Sequence, residues 1–160
     1  MKDLPDILLC LEKTPPILAN LAGSIPEEMR KKRRLEKAWT VHEHVCHLAQ
    51  VQPMLISRFR MFRDEERPVI RPFFPGQTDP DDDLSAMDWD EAVAGFPPLR
   101  REMIGVIESL DDAAWKRKAA HPEYAQYTPY ILARHVLMHD HWHMYRIEEL
   151  WLTTDEYLTE

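Results

Sequence analysis

The chain has 160 residues and a formal net charge of −8, enough for one domain, expected here over residues 1–160, to hide roughly two thirds of its unfolded surface. The acidic balance excludes a surface built to displace counterions from phosphates, so no nucleic-acid partner is expected. Two cysteines, Cys10 and Cys46, are too few for a disulfide scaffold and point to a reducing cytoplasm.

No apolar stretch approaches the ~20 residues that span a bilayer, and no membrane partner is expected. Four glycines stand against 13 prolines, and apolar residues recur at three- and four-residue spacing, which reads as helices separated by proline-rich connections. The first predicted helix runs from about Leu4 to Leu21 with Ile7, Leu8, Leu11, Ile17, Leu18 and Leu21 on its apolar face. Pro15 and Pro16 should kink it, because each removes a backbone donor. The basic run Arg30 to Arg34 follows in a polar connector and is expected to be solvated.

Thr40 and Glu43 form a capping box that opens the second helix. Its stripe of Val41, Val45, Leu48, Val51, Leu55, Phe59 and Phe62 continues to about residue 64, with a bend expected at Pro53. A linker over 65–88 carries Pro68, Pro72, Pro75 and Pro80 and an acidic patch from Asp79 to Asp83. Asp88 and Glu91 mark a second box, opening a third helix with Val93, Phe96, Leu99, Met103, Ile107 and Leu110 inward and Pro97 and Pro98 in its middle. After a segment holding Trp115 and a loop from about His121 to Tyr127, Thr128 and Pro129 open a fourth helix that reaches about Trp151. Four long helices predict an all-α four-helix bundle. The 65–88 linker could extend to ~80 Å, long enough to carry the chain back along the bundle, so an up-down-down-up order with a long crossover between the second and third helices is permitted.

The chain's eight histidines are unevenly placed. His42, His44 and His47 crowd the start of the second helix, and His135, His139, His141 and His143 the middle of the fourth. Residues four apart on a helix are turned by only ~40°, so His135, His139 and His143 share a row. That row coincides with an apolar stripe of Leu132, Val136, Trp142, Ile147 and Leu150, whereas His141 points away. Neutral imidazoles stacked in an apolar interior need polar partners, and a divalent ion supplies them. If the second and fourth helices are antiparallel, His47 lies level with His143 and the set is His47, His139 and His143. Were they parallel, His47 would face His135 and His139. His44 is the other candidate on the second helix, although it can pack against Trp39. Glu43 is explained by its cap, Cys46 and Trp142 by core packing, while Asp140 would either orient an imidazole or be solvated. Tyr145 and Arg146 could line a pocket mouth.

Trp39-Thr40-Val41 leading to His47-Leu48, Arg100 through Leu110, the Asp111-to-Trp115 turn and the block from His139 through Leu150 together resemble the DinB family of four-helix metalloproteins. The resemblance covers nearly the whole chain and implies an up-down-down-up bundle in which His47, His139 and His143 surround a divalent ion, zinc or nickel. Many relatives carry Arg-Gly-Gln where this chain has Met144-Tyr145-Arg146. It further implies a homodimer and a small-molecule substrate, with relatives that include transferases and isomerases using low-molecular-weight thiols. Three neutral histidines leave a coordination position open, as catalytic zinc sites do, so the expectation is a metal-dependent transferase or hydrolase. The competing expectation is a non-catalytic, stress-related protein in which the ion ties helices together.

Overall fold

The computed structural model describes residues 2–74 and 83–159, and in it the capping signals start helices where the sequence places them. Helix α1 spans Leu4–Ser24, α2 Glu27–Arg30, α3 Val41–Gln50, α4 Gln52–Asp64, α5 Trp89–Glu108, α6 Asp112–Lys116 and α7 Pro129–Leu152, followed by a 3-10 turn over Asp155–Tyr157. The Thr40 hydroxyl accepts from the Glu43 amide at 3.2 Å while Glu43 accepts from the Thr40 amide at 2.6 Å, so both halves of the first box form. Asp88 and Thr128 accept from the amides of Glu91 and Ile131, and Asp111 caps α6 in the same way.

Proline acts differently in each helix. Helix α1 runs through Pro15 and Pro16, and α5 through Pro97 and Pro98, without interruption. The predicted second helix is instead divided at Val51, where Pro53 sits in the first turn of α4, a position that has no intrahelical donor to lose.

Four long rods, α1, α3 with α4, α5 and α7, make the bundle. Tyr130 donates to the Asp3 carboxylate at 2.7 Å, which puts the starts of α1 and α7 at the same end. The ring of His42 stacks on Trp89 at 5.9 Å, so α3 and α5 also start together. His47, early in α3, meets His143, late in α7, and the order is therefore up-down-down-up. The crossover after α4 is tied to the segment before α7: Ala120 donates to Pro68 and Ile70 to Ala120, both at 2.9 Å. Pro75, Pro80 and Asp79 to Asp82 lie outside the described residues. No helix among the described residues is long and apolar enough to cross a membrane.

The core has two halves. One gathers Ile7 and Leu11 with Phe59, Phe62, Met103, Ile107, Leu132 and Val136; the other gathers Leu18 and Ala22 with Val45, Leu48, Trp89, Phe96, Ile147 and Leu150. Between them lies a fully buried polar layer of Gln52, Arg100 and Asp140, one residue from each of three rods. Three expectations for the faces change. Ile17 is exposed, because the apolar arc of α1 narrows to Leu11, Leu18 and Ala22 against its neighbours. Trp142 is 55% exposed and belongs to the surface of α7 that borders a cavity. The basic run is only partly solvated: the buried Arg34 side chain donates to the Leu150 carbonyl at 2.7 Å and pairs with Asp155, closing the otherwise open carboxyl end of α7.

Candidate metal centre

The cap at Thr40 fixes where α3 begins and hence which way His47 faces, two turns later. On α7, His139 and His143 are one turn apart on the same side. Antiparallel packing brings these segments level. The Nε2 atoms of His47 and His139 are 3.1 Å apart, and the His139 and His143 ring centroids 4.4 Å apart. One ring nitrogen from each of His47, His139 and His143 lies within 4.8 Å of the other two. Nitrogens sharing a tetrahedral ion with ~2.1 Å bonds are about 3.4 Å apart, so small ring rotations close the set around one ion.

Each ring has its own backing. The Nδ1 of His47 lies 3.4 Å from Gln50 Oε1, a carbonyl that can only accept, which leaves Nε2 as the lone-pair nitrogen facing His139. His143 Nδ1 meets His44 Nδ1 at 2.7 Å, and the Trp39 ring packs on His44, His47 and His143 at 5.4, 4.8 and 5.7 Å. Burial holds His47 at about 3 and His44 at about 4, with neighbouring positive charge adding to the effect, and drives His143 well below the usual imidazole range for the same reason. His44, His47 and His143 are thus neutral at physiological pH, the form in which an imidazole can ligate a metal. His139 Nδ1 and, 3.9 Å away, Asp140 Oδ1 are buried without hydrogen-bond partners. Convergent imidazoles and orphaned polar atoms beside them are what a site completed by an ion would show.

The sequence profile of the DinB superfamily matches residues 11–147. The chain belongs to the DinB superfamily. It is 26% identical over 141 residues to YfiT of Bacillus subtilis (strain 168), a match covering 88% of this chain and 79% of YfiT. The solved structure of that protein, described as a probable metal-dependent hydrolase with an unusual four-helix bundle topology, is similar to the present bundle with a TM-score of 0.78, over 91% of this chain and 84% of that one.

In this DinB chain a cavity of about 700 Å³ opens from the three histidines along α7. Phe73, Tyr124, Tyr127, Trp142 and Tyr145 give it a largely aromatic wall, and Glu123 is the one carboxylate residue lining it among the described residues. His135 shares the row but not the cluster; it packs against Tyr124 and Tyr127 at 5.1 and 5.6 Å, elsewhere along the cavity wall. His141 is exposed, facing away as expected. Cys46 is buried beside His42 at 3.4 Å, and burial pushes its thiol up to about 11. Glu43 serves its cap and pairs with Arg33. Tyr145 stands 63% exposed at the cavity mouth. Arg146 is not free to take an anion, because its guanidinium is bound by Glu149 and by Thr159.

Asp140 is not solvated; it accepts from Arg100 at 2.6 Å, and Arg100 donates to Gln52 Oε1 at 3.2 Å. Periodicity alone overlooks Arg100 and Gln52. A signal was there: Arg100 falls between Phe96 and Met103 on the apolar stripe of α5, and Gln52 follows Leu48 by one turn on the stripe of α3 and α4. A polar residue on a core-facing stripe must find a polar partner inside.

Proposed function

We propose that the protein is a metal-dependent hydrolase of small molecules, holding zinc or nickel through His47, His139 and His143. One observation carries this reading: three imidazoles from two antiparallel helices converge at the wall of a cavity large enough for a small molecule. A site whose ion served only to join helices would have no need of such a cavity. The hydrolase description of YfiT supports the same choice.

A bound divalent ion supplies Lewis-acid polarisation of the bond to be cleaved and lowers the pKa of water. The chain's own residues do the rest. Trp39 packs against the histidine rings and limits their movement. The aromatic wall favours a substrate with apolar or planar parts and keeps bulk water from the reacting group. At the mouth, Trp142 and Tyr145 border the entrance.

Elemental analysis of untagged protein, followed by assays of ester, amide and related small-molecule hydrolysis with and without added metal, tests the reading. Near-stoichiometric divalent metal and metal-dependent hydrolysis are expected, and His139→Ala should lose both. Binding of zinc and nickel unchanged by that substitution would refute the three-histidine set. Turnover confined to transfer of a low-molecular-weight thiol, or metal that raises stability with no turnover, would replace the hydrolase reading by a transferase or by a structural ion.

A further inference from the structure

Asp140 sits on the apolar stripe of α7 with no exposed surface. Its Oδ2 accepts from Arg100 Nη1 at 2.6 Å, and the clamp continues through Gln52 Oε1, which accepts from Arg100 Nε at 3.2 Å. Gln52 in turn donates to the Leu48 carbonyl at 2.9 Å, beside His47. Three atoms of this buried group have no hydrogen-bond partner: Arg100 Nη2, Asp140 Oδ1 and the adjacent His139 Nδ1. A buried polar atom left unpaired costs ~1–3 kcal/mol, so an unmet acceptor and an unmet potential donor 3.9 Å apart call for an arrangement that joins them. The ring already faces the right way, since Nε2 points at His47 and Nδ1 is the nitrogen on the Asp140 side.

We propose that Asp140, anchored by Arg100 and Gln52, is the positioning residue of His139. When the histidines close on an ion, Asp140 Oδ1 accepts the Nδ1 proton of His139, fixes the tautomer with Nε2 free to ligate, and sets a negative charge behind the site. His47 and His143 are backed by neutral groups, Gln50 and His44, so His139 is the ring on which a carboxylate acts. Arg100 holds that carboxylate in place and offsets its burial. The proposal rests on the three-histidine reading and adds to it a dependence of metal affinity on residues that do not touch the ion.

Zinc affinity measured by chelator competition, with the visible spectrum of the cobalt-substituted protein as a report on ligand geometry, tests it. Asp140→Ala alone would strand a buried guanidinium, so the informative variant is Asp140→Leu combined with Arg100→Met, since replacing a buried ion pair by apolar side chains is often tolerated. Metal-free stability near wild type, zinc affinity lowered by about 10–100-fold and an altered cobalt spectrum are expected. Asp140→Asn, which keeps an acceptor oxygen without the charge, should fall between. A folded double variant with wild-type zinc affinity and cobalt spectrum would overturn the proposal. If the double variant does not fold, wild-type affinity in Asp140→Asn would do so. His139→Ala in the same assay separates the two readings: loss of zinc there but not in the Asp140 variants removes only the positioning role, whereas zinc retained in His139→Ala removes the three-histidine set itself.

Discussion

Helix α7 carries two buried polar clusters less than two turns apart, and they are completed differently. In one, Arg146 donates to Glu149 and Thr159, and the Thr159 amide and hydroxyl donate to Glu149 Oε1 at 3.1 and 2.6 Å, so the group closes on itself. In the other, built around His139, Asp140 and Arg100, three polar atoms remain without partners. Both bury charge, but only the first satisfies it from within the chain. Arg146 therefore reads as an anchor for the C-terminal segment. The incomplete cluster adjoins the converging histidines, and its unmet acceptor, Asp140 Oδ1, lies 3.9 Å from the unmet His139 Nδ1.

Acid should separate the two clusters most clearly. His44, His47 and His143 are held neutral by burial, so below about pH 6.5 the unfolded chain takes up protons that the folded, metal-free protein refuses. Stability from the histidines beside the open cluster is complete above that pH and falls by roughly 1.4 kcal/mol per pH unit for each of them, through about 4 for His44 and about 3 for His47. Burial alone would raise Glu149, yet its hydrogen bonds from Thr159 and the charge of Arg146 hold it below its ordinary 4.5, so the closed cluster weakens only under more acidic conditions. Urea unfolding of the metal-free protein across this range should show the earlier loss; stability flat down to about pH 4.5 would contradict the burial argument for the histidines.

A smaller effect is expected from Arg146→Met. Removing the guanidinium leaves Glu149 with Thr159 alone and should cost about 1–3 kcal/mol, while zinc affinity changes less than about threefold. An affinity loss as large as that of a ligand variant would show that the two clusters are one unit. Smallest is Thr40→Ala, which removes half of the box at the start of α3. About 1 kcal/mol and a melting temperature lower by about 2–4 °C are expected, measured by thermal unfolding, because the cap sets the start of the helix without touching either cluster.

Much of the bundle was legible along the chain because helix signals are local. Thr40, Asp88 and Thr128 satisfy amides only three residues away, and the stripe from Val41 to Phe62 needs only a period of 3.6 to be seen. Misreadings arose where a local rule met a neighbour. Ile17 and Trp142 have apolar side chains at plausible positions but stay more than half exposed, Trp142 meeting α3 at the His44 ring, and Arg34 left the solvent because the end of α7 offers it a carbonyl.

Residue spacing alone determined that His139 and His143 share one side of a helix and that His47 lies early on another. Two pairings stayed open at that level, since helix direction is a relation between segments far apart in sequence. Tertiary structure decided the rest: the antiparallel approach of α3 and α7 puts His47 beside His139 and His143 and leaves His135 among tyrosines, and the meeting of three rods places Arg100 and Gln52 behind Asp140. The physical reason is that a hydrogen bond or a ligand set depends on distances of a few ångströms, and for residues on different helices those distances are set by packing.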